Sequence, residues 1–206
     1  MEATSKRRNN LLVNGFIVLL IVAFIGGIAY WFWSGYTKLP ILNRAPNFTL
    51  QNIDNQDVSF TDYNGKVRLV EFFFTNCPDI CPITTAKMVN LQKELKAKGF
   101  FGDKVQFVSV TFDPDRDTPD VLKAHAEAMG IDQSGWTLLR GKEADTHKVV
   151  ESYGAFVEEQ ADGTFIHATR SLYLVDAKNN VRKVYYMGDE MPTEDVLKDI
   201  VKLAKE

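Results

Sequence analysis

Val67-Arg-Leu-Val-Glu-Phe-Phe-Phe-Thr-Asn-Cys-Pro-Asp-Ile-Cys-Pro82 is the stretch on which the fold turns. Its first eight residues form a short, almost wholly apolar run, the pattern of an interior parallel strand covered on both faces. Glu71 is the exception, and nothing in the sequence accounts for it. Pro82 suits a first helical turn, and Ile83, Ala86, Val89, Leu91 and Leu95 continue with helical spacing as far as Gly99, which predicts a helix over 82–98. Cys77 and Cys81 therefore stand where a strand hands over to a helix, the place where open α/β sheets carry their binding sites. Pro82 biases Cys81 toward the extended conformation of an N-cap. The positive end of the helix dipole is then expected to lower the pKa of both thiols.

Working outward, Phe48-Thr-Leu and Val58-Ser-Phe suggest a short hairpin ahead of this strand. Behind it come a second buried strand, Val105 to Thr111, a helix from Pro119 to Met129 closed by Gly130, a strand at Trp136 to Leu139 and a helix from Ala144 to Tyr153. Ser171 to Val175 and Val181 to Tyr186 flank Asn179-Asn180, a pair that tolerates the positive φ of a hairpin turn, and Thr193 caps a last helix. Parallel βαβα followed by an antiparallel pair and a helix is an α/β, thioredoxin-like plan, a central mixed sheet flanked by helices.

At the amino-terminal side, no charged residue lies between Asn9 and Thr37, and Leu11 to Trp33 is almost continuously apolar. At ~1.5 Å per residue such a helix crosses a hydrocarbon core of ~30 Å. Lys6-Arg7-Arg8 precede it and Tyr30, Trp31 and Trp33 end it, as the positive-inside rule and an interfacial aromatic belt require. A cleaved signal would have a shorter apolar core and a small-residue cleavage site. The expected organisation is thus an inner terminus at 1–10, a single-pass membrane anchor at 11–33, a linker at 34–45 and one domain at 46–206 on the extracytoplasmic side. A bacterial cell membrane is favoured over a mitochondrial inner membrane.

Setting aside Glu2, Lys6, Arg7 and Arg8 leaves 21 basic and 26 acidic residues, a net charge near −5, so no nucleic-acid partner is expected. Two cysteines are too few for a disulfide scaffold but suffice for a redox pair or a soft-metal site. Three residues separate them, which lets two thiolates converge on one ion without closing a bond. No proline lies between Pro119 and Pro192, where a thiol oxidoreductase of this plan carries its substrate-docking proline. His167, in Phe-Ile-His-Ala-Thr, stands near that place, just before the Ser171 strand. Two thiolates and an imidazole make a three-coordinate set suited to Cu(I) and able to take Cu(II) with a further oxygen. Structural zinc would ask for a fourth protein ligand.

The combination of Cys77-Pro-Asp-Ile-Cys-Pro82, Asp113-Pro-Asp-Arg-Asp-Thr-Pro119 and His167 ahead of the final hairpin resembles the Sco/SenC family, from roughly Pro46 to the end. That resemblance implies a thioredoxin-like fold and a copper ion, Cu(I) or Cu(II), held by Cys77, Cys81 and His167, with Asp79 as a modulator rather than a ligand. It also implies that the chain is a metallochaperone for the binuclear copper centre of cytochrome c oxidase subunit II. Closure of Cys77 and Cys81 into a redox-active disulfide would remove two ligands. The alternative is a membrane-anchored thiol-disulfide oxidoreductase that reduces the target's cysteines, so whether the chain is an enzyme stays open. A thiol peroxidase lacks its proline and threonine spacing here.

The other polar residues read more plainly. Asp113, Asp115 and Asp117 mimic the start of a calcium loop, but Thr118 stands at its glycine position and Ala124 at its glutamate position. Asp117 or Thr118 is better read as a helix cap, with Arg116 pairing with the neighbouring carboxylates. His125 and His147 fall inside helices as packed or solvated side chains, and Met187 and Met191 are weaker candidates for transient copper contacts.

Overall fold

In a computed structural model, residues 14–30, 38–159, 165–167 and 170–206 are described, with 157–159 and 165–167 given by their backbone. The chain divides into two compact units, Met1–Leu39 and Pro40–Glu206. In the first, residues 14–30 form a helix, α1, whose Phe16, Leu19, Val22, Phe24 and Ile25 are all exposed. Among the described residues no helix is long and apolar enough to cross a membrane. Of the span expected at 11–33, residues 11–13 and 31–33 lie outside the described residues.

The second unit is a mixed eight-stranded sheet with helices on both faces. Its strands are β1 (Asn43–Arg44), β2 (Thr49–Asn52), β3 (Asp57–Ser59), β4 (Val67–Phe73), β5 (Val105–Thr111), β6 (Trp136–Arg140), β9 (Ser171–Val175) and β10 (Asn180–Tyr186), in the order β1-β10-β9-β4-β5-β6-β2-β3. Strands β4, β5 and β6 run parallel, and β9 lies antiparallel to β4. Between them in the chain stand α2 (Ile80–Ala97), α3 (Pro119–Met129) and α4 (Glu143–Ser152), and α5 (Thr193–Leu203) follows β10. A separate two-stranded ribbon joins β7 (Val157–Glu159) to β8 (Phe165–His167).

Every residue of β4 and β5 is buried, which is why both read as largely apolar without the alternation of a half-exposed strand. Side chains alternate along a strand, so neighbours in β4 report opposite faces. Phe73 meets the His125 ring of α3 with centroids 5.7 Å apart, while Phe72 packs edge-on against Tyr153, just after α4, at 5.3 Å. Arg68 belongs to the Phe72 face. Fully buried, it lies over the Phe60 ring at 4.9 Å and donates to the Tyr63 carbonyl at 2.8 Å and to Asn179 Oδ1 at 2.7 Å.

One boundary moves here, and one expected turn does more than turn. Residues 43–44, placed in the linker by the sequence, form the edge strand β1 against β10, so sheet pairing starts before residue 46. Asn179 does take the left-handed conformation expected of the turn, with φ 69°, but its side chain also donates to the Ala45 carbonyl at 3.0 Å and accepts from Arg68. A glycine would supply the turn and lose both ties.

Candidate functional site

At the carboxyl end of β4 the chain reverses through Phe74-Thr-Asn-Cys77, whose closing hydrogen bond runs from the Cys77 N–H to the Phe74 carbonyl at 3.3 Å. Helix α2 then begins at Ile80, two residues earlier than the proline suggested. Pro82 sits in the third helical position, where its missing N–H would have had no intrahelical partner in any case. Cys81 is thus inside the first turn, and the N-cap is Asp79, which is exposed and makes no side-chain cap.

This first turn is gripped from the side. Thr84 Oγ1 donates to the Ile80 carbonyl and accepts from the Gly188 N–H, both at 2.8 Å. Gly188 opens a 3-10 turn (Gly188–Glu190) and lies so close to Ile80 that a Cβ there would meet Ile80 Cγ2 at 3.1 Å. Its φ of +71° excludes most other residues as well. Lys87 secures the same turn by donating to the Asp189 carbonyl at 2.8 Å.

Cys77 and Cys81 are brought together as thiols, 6% and 5% exposed and hydrogen-bonded to one another. The expected fall of both pKa values does not hold for Cys81. Sharing a proton with Cys77 and burial push its pKa up, against a backbone hydrogen bond from Phe74 that favours the thiolate. A helix N-terminus contributes less than those two effects together at a nearly water-free sulfur.

Two buried carboxylates flank the pair. Glu71 is 1% exposed, on the β4 register opposite Ser109 of β5. Ser109 Oγ donates to its Oε1 at 2.5 Å and accepts from Trp136 Nε1 at 2.7 Å, while Oε2 has no partner among the described residues. Burial lifts the Glu71 pKa to about 7, against the Ser109 hydrogen bond, and its charge in turn disfavours a thiolate at Cys81. Asp117, fully buried, accepts from the Thr75 N–H at 3.2 Å and from the hydroxyls of Thr75 and Thr111. Of the two caps allowed by sequence, Thr118 makes the helix cap, accepting from the Val121 N–H, and Asp117 turns inward. Arg116 pairs with Asp113 at 3.0 Å, as the sequence suggested. The Asp117 network had no sequence signature beyond short polar residues at the ends of two neighbouring strands.

His167 stands ahead of the Ser171 strand, on β8, with its backbone paired with Val157; its side chain lies outside the described residues. Among the described residues no group of three His, Cys, Asp or Glu side chains is disposed to hold a metal ion. The other histidines are packed as expected: His125 against Phe73, and His147 with Nε2 3.0 Å from the Phe112 carbonyl. Met187 and Met191 are buried at 3% exposure each, which leaves neither a surface sulfur.

Known proteins agree with this architecture. The SCO1/SenC family model matches residues 41–205. The SCO1 protein homolog of Bacillus subtilis (strain 168) is 34% identical over 166 residues, covering 79% of this chain and 84% of that protein. BsSco, whose structure was solved with a disulfide switch in a member of the Sco family of cytochrome c oxidase assembly proteins, superposes with a TM-score of 0.71 at 32% identity, over 82% of this chain and 98% of its own. Arabidopsis thaliana ScoI with copper bound superposes at 0.66 with 25% identity, over 78% and 98%. The family match takes in all but the outermost residue at each end of the Pro40–Glu206 unit, cysteine turn and final hairpin included, and this chain belongs to the SCO1/SenC family.

Proposed function

We propose that the chain takes up one copper ion through Cys77, Cys81 and His167 and delivers it to cytochrome c oxidase, at the binuclear centre of subunit II. The observation that carries this is the pair of hydrogen-bonded thiols, nearly shut off from water, at the carboxyl end of the parallel strands. Two neighbouring sulfurs suit a soft cation, whose binding would release the proton of each thiol. An imidazole from His167 completes a set open enough to release its cargo. Asp79, exposed between the two cysteines, is placed to bias the charge of the loaded site without binding. Related proteins are described with copper bound and with a disulfide switch, and closing Cys77 and Cys81 into a disulfide, with loss of two electrons and two protons, would withdraw both sulfur ligands.

Anaerobic copper titration of the full chain tests the reading. One equivalent should bind, with a visible sulfur-to-Cu(II) absorption that His167→Ala weakens and shifts while both thiols stay oxidisable. Identical titrations and spectra for parent and variant exclude His167 as a ligand. Catalytic turnover of a disulfide substrate without metal would favour an oxidoreductase.

The anchor at 11–33 belongs to the same proposal. Helix 14–30 is apolar around its circumference with no polar face to turn to water, which favours a lipid setting with the Pro40–Glu206 unit on the extracytoplasmic side. Recovery of the full chain in the membrane fraction, and of a chain lacking 11–33 in the soluble one, is the expected result; a soluble full chain removes the anchor.

A further inference from the structure

We infer that Asp117 and Thr75 form a clamp that fixes where the Cys77 sulfur stands, which makes Asp117 a positioning residue for the thiol pair although it touches neither sulfur. The cysteine-bearing reversal, Phe74 to Cys77, has Thr75 as its second residue. Both polar groups that Thr75 offers toward its neighbours end on one carboxylate: the N–H reaches Asp117 Oδ2 at 3.2 Å and Oδ1 at 3.3 Å, and the hydroxyl reaches Oδ1. The orientation of the turn, and so the direction in which Cys77 leaves it, is tied to the position of Asp117.

Asp117 is itself held from three sides. Thr111, the last residue of β5, donates its hydroxyl to Oδ2. The Asp117 N–H closes a turn onto the Asp113 carbonyl at 2.9 Å. Arg140, at the end of β6, donates from Nε to the Asp117 carbonyl at 3.2 Å and from Nη2 to the Pro114 carbonyl at 2.9 Å. The clamp therefore refers Cys77 to the ends of β5 and β6, which are rigid parallel strands, rather than to its own loop. The other cysteine has a separate reference: Cys81 is placed by the Ile80–Thr84–Gly188 chain of hydrogen bonds. Two independent fixings define one sulfur-to-sulfur geometry.

A buried carboxyl group is a costly way to staple a loop unless donors meet it. It is satisfied here by three donors, two of which come from the single residue that aims Cys77. Hydrophobic packing would hold the loop at lower cost but would not set the direction of the turn. The inference rests on Cys77 being a reacting thiol, and its test is read without metal, so its failure is distinct from failure of the copper reading.

The test is the ratio of native-state iodoacetamide alkylation rates at Cys77 and Cys81 in the reduced full chain, resolved by mass spectrometry, with thermal midpoints measured alongside. Rates are read far below the thermal midpoint of each variant, where global unfolding contributes to neither alkylation, so a variant that is merely less stable leaves the ratio where it was. Thr75→Val keeps the volume and loses the hydroxyl donor. It should shift the ratio by about fivefold or more, equivalent to about 1 kcal/mol, the typical net worth of one hydrogen bond. Thr75→Ser, which restores the donor, should stay within about twofold of the parent. Asp117→Asn, which keeps an acceptor for the Thr75 N–H, should also move the ratio and serves if Thr75→Val does not fold. A lowered midpoint with an unmoved ratio in these variants overturns the inference, as does Thr75→Ser behaving like Thr75→Val.

Discussion

Glu71 and Asp117 are two carboxyl groups buried near the same cysteine turn, and the protein treats them in opposite ways. Asp117 sits where β5 ends and the chain is irregular, so hydroxyls and a backbone N–H can turn toward it; three donors meet its two oxygens. Burial raises its pKa, and the Thr111 and Thr75 hydrogen bonds pull it back. Glu71 sits in the middle of β4, where the backbone donors are committed to the neighbouring strands. Among the described residues Ser109 hydrogen-bonds one oxygen and the other has no partner, and burial raises its pKa to about 7. The loop can satisfy a charge that the sheet interior cannot. Asp117 is therefore a carboxyl group held by donors on both oxygens, whereas Glu71 is a group that gains or loses a proton near neutrality.

Asp117→Ala tests the first half of that contrast. It leaves the Thr75 N–H and two hydroxyls buried without their acceptor, and chemical denaturation should show a loss of roughly 4 kcal/mol. A loss below about 1 kcal/mol would mean that the three hydrogen bonds do not hold the turn.

Glu71→Gln tests the second. The folded-state pKa of about 7 lies above the ordinary carboxyl value of 4.5, so the folded chain binds the proton more tightly than the unfolded chain. Its contribution to stability is then greatest below pH 4.5, falls as pH rises through the window to 7, and is spent above it. The parent should lose up to about 3 kcal/mol across that window relative to Glu71→Gln, read as the difference between their stability–pH profiles. Parallel profiles would show that Glu71 is solvated or paired in solution. The mildest change is Thr75→Ser, whose stability should stay within about 0.5 kcal/mol of the parent because the hydroxyl and N–H that meet Asp117 both remain.

Legibility in the sequence followed the same division between regular and irregular backbone. Strand β5 and helix α3 fall at the expected bounds, Val105–Thr111 and Pro119–Met129, since a buried strand has a largely apolar run and α3 carries proline at its start and glycine at its end. Helix α2 begins two residues before its expected start, because proline is tolerated anywhere in a first turn and so does not mark its beginning. The β7–β8 ribbon that carries the His167 backbone was not expected, being three residues a side with no apolar alternation to announce it.

The order of elements, the strand-to-helix junction holding Cys77 and Cys81, and the family resemblance could all be read from residue types and spacing, because periodicity and turn chemistry are local. The protonation preference of Cys81, the inward turn of Asp117 and the isolation of Glu71 could not be read that way. Each depends on which side chain from a distant strand arrives within hydrogen-bonding distance, and on how much water is left there, and both are properties of the packed sheet rather than of any segment in it.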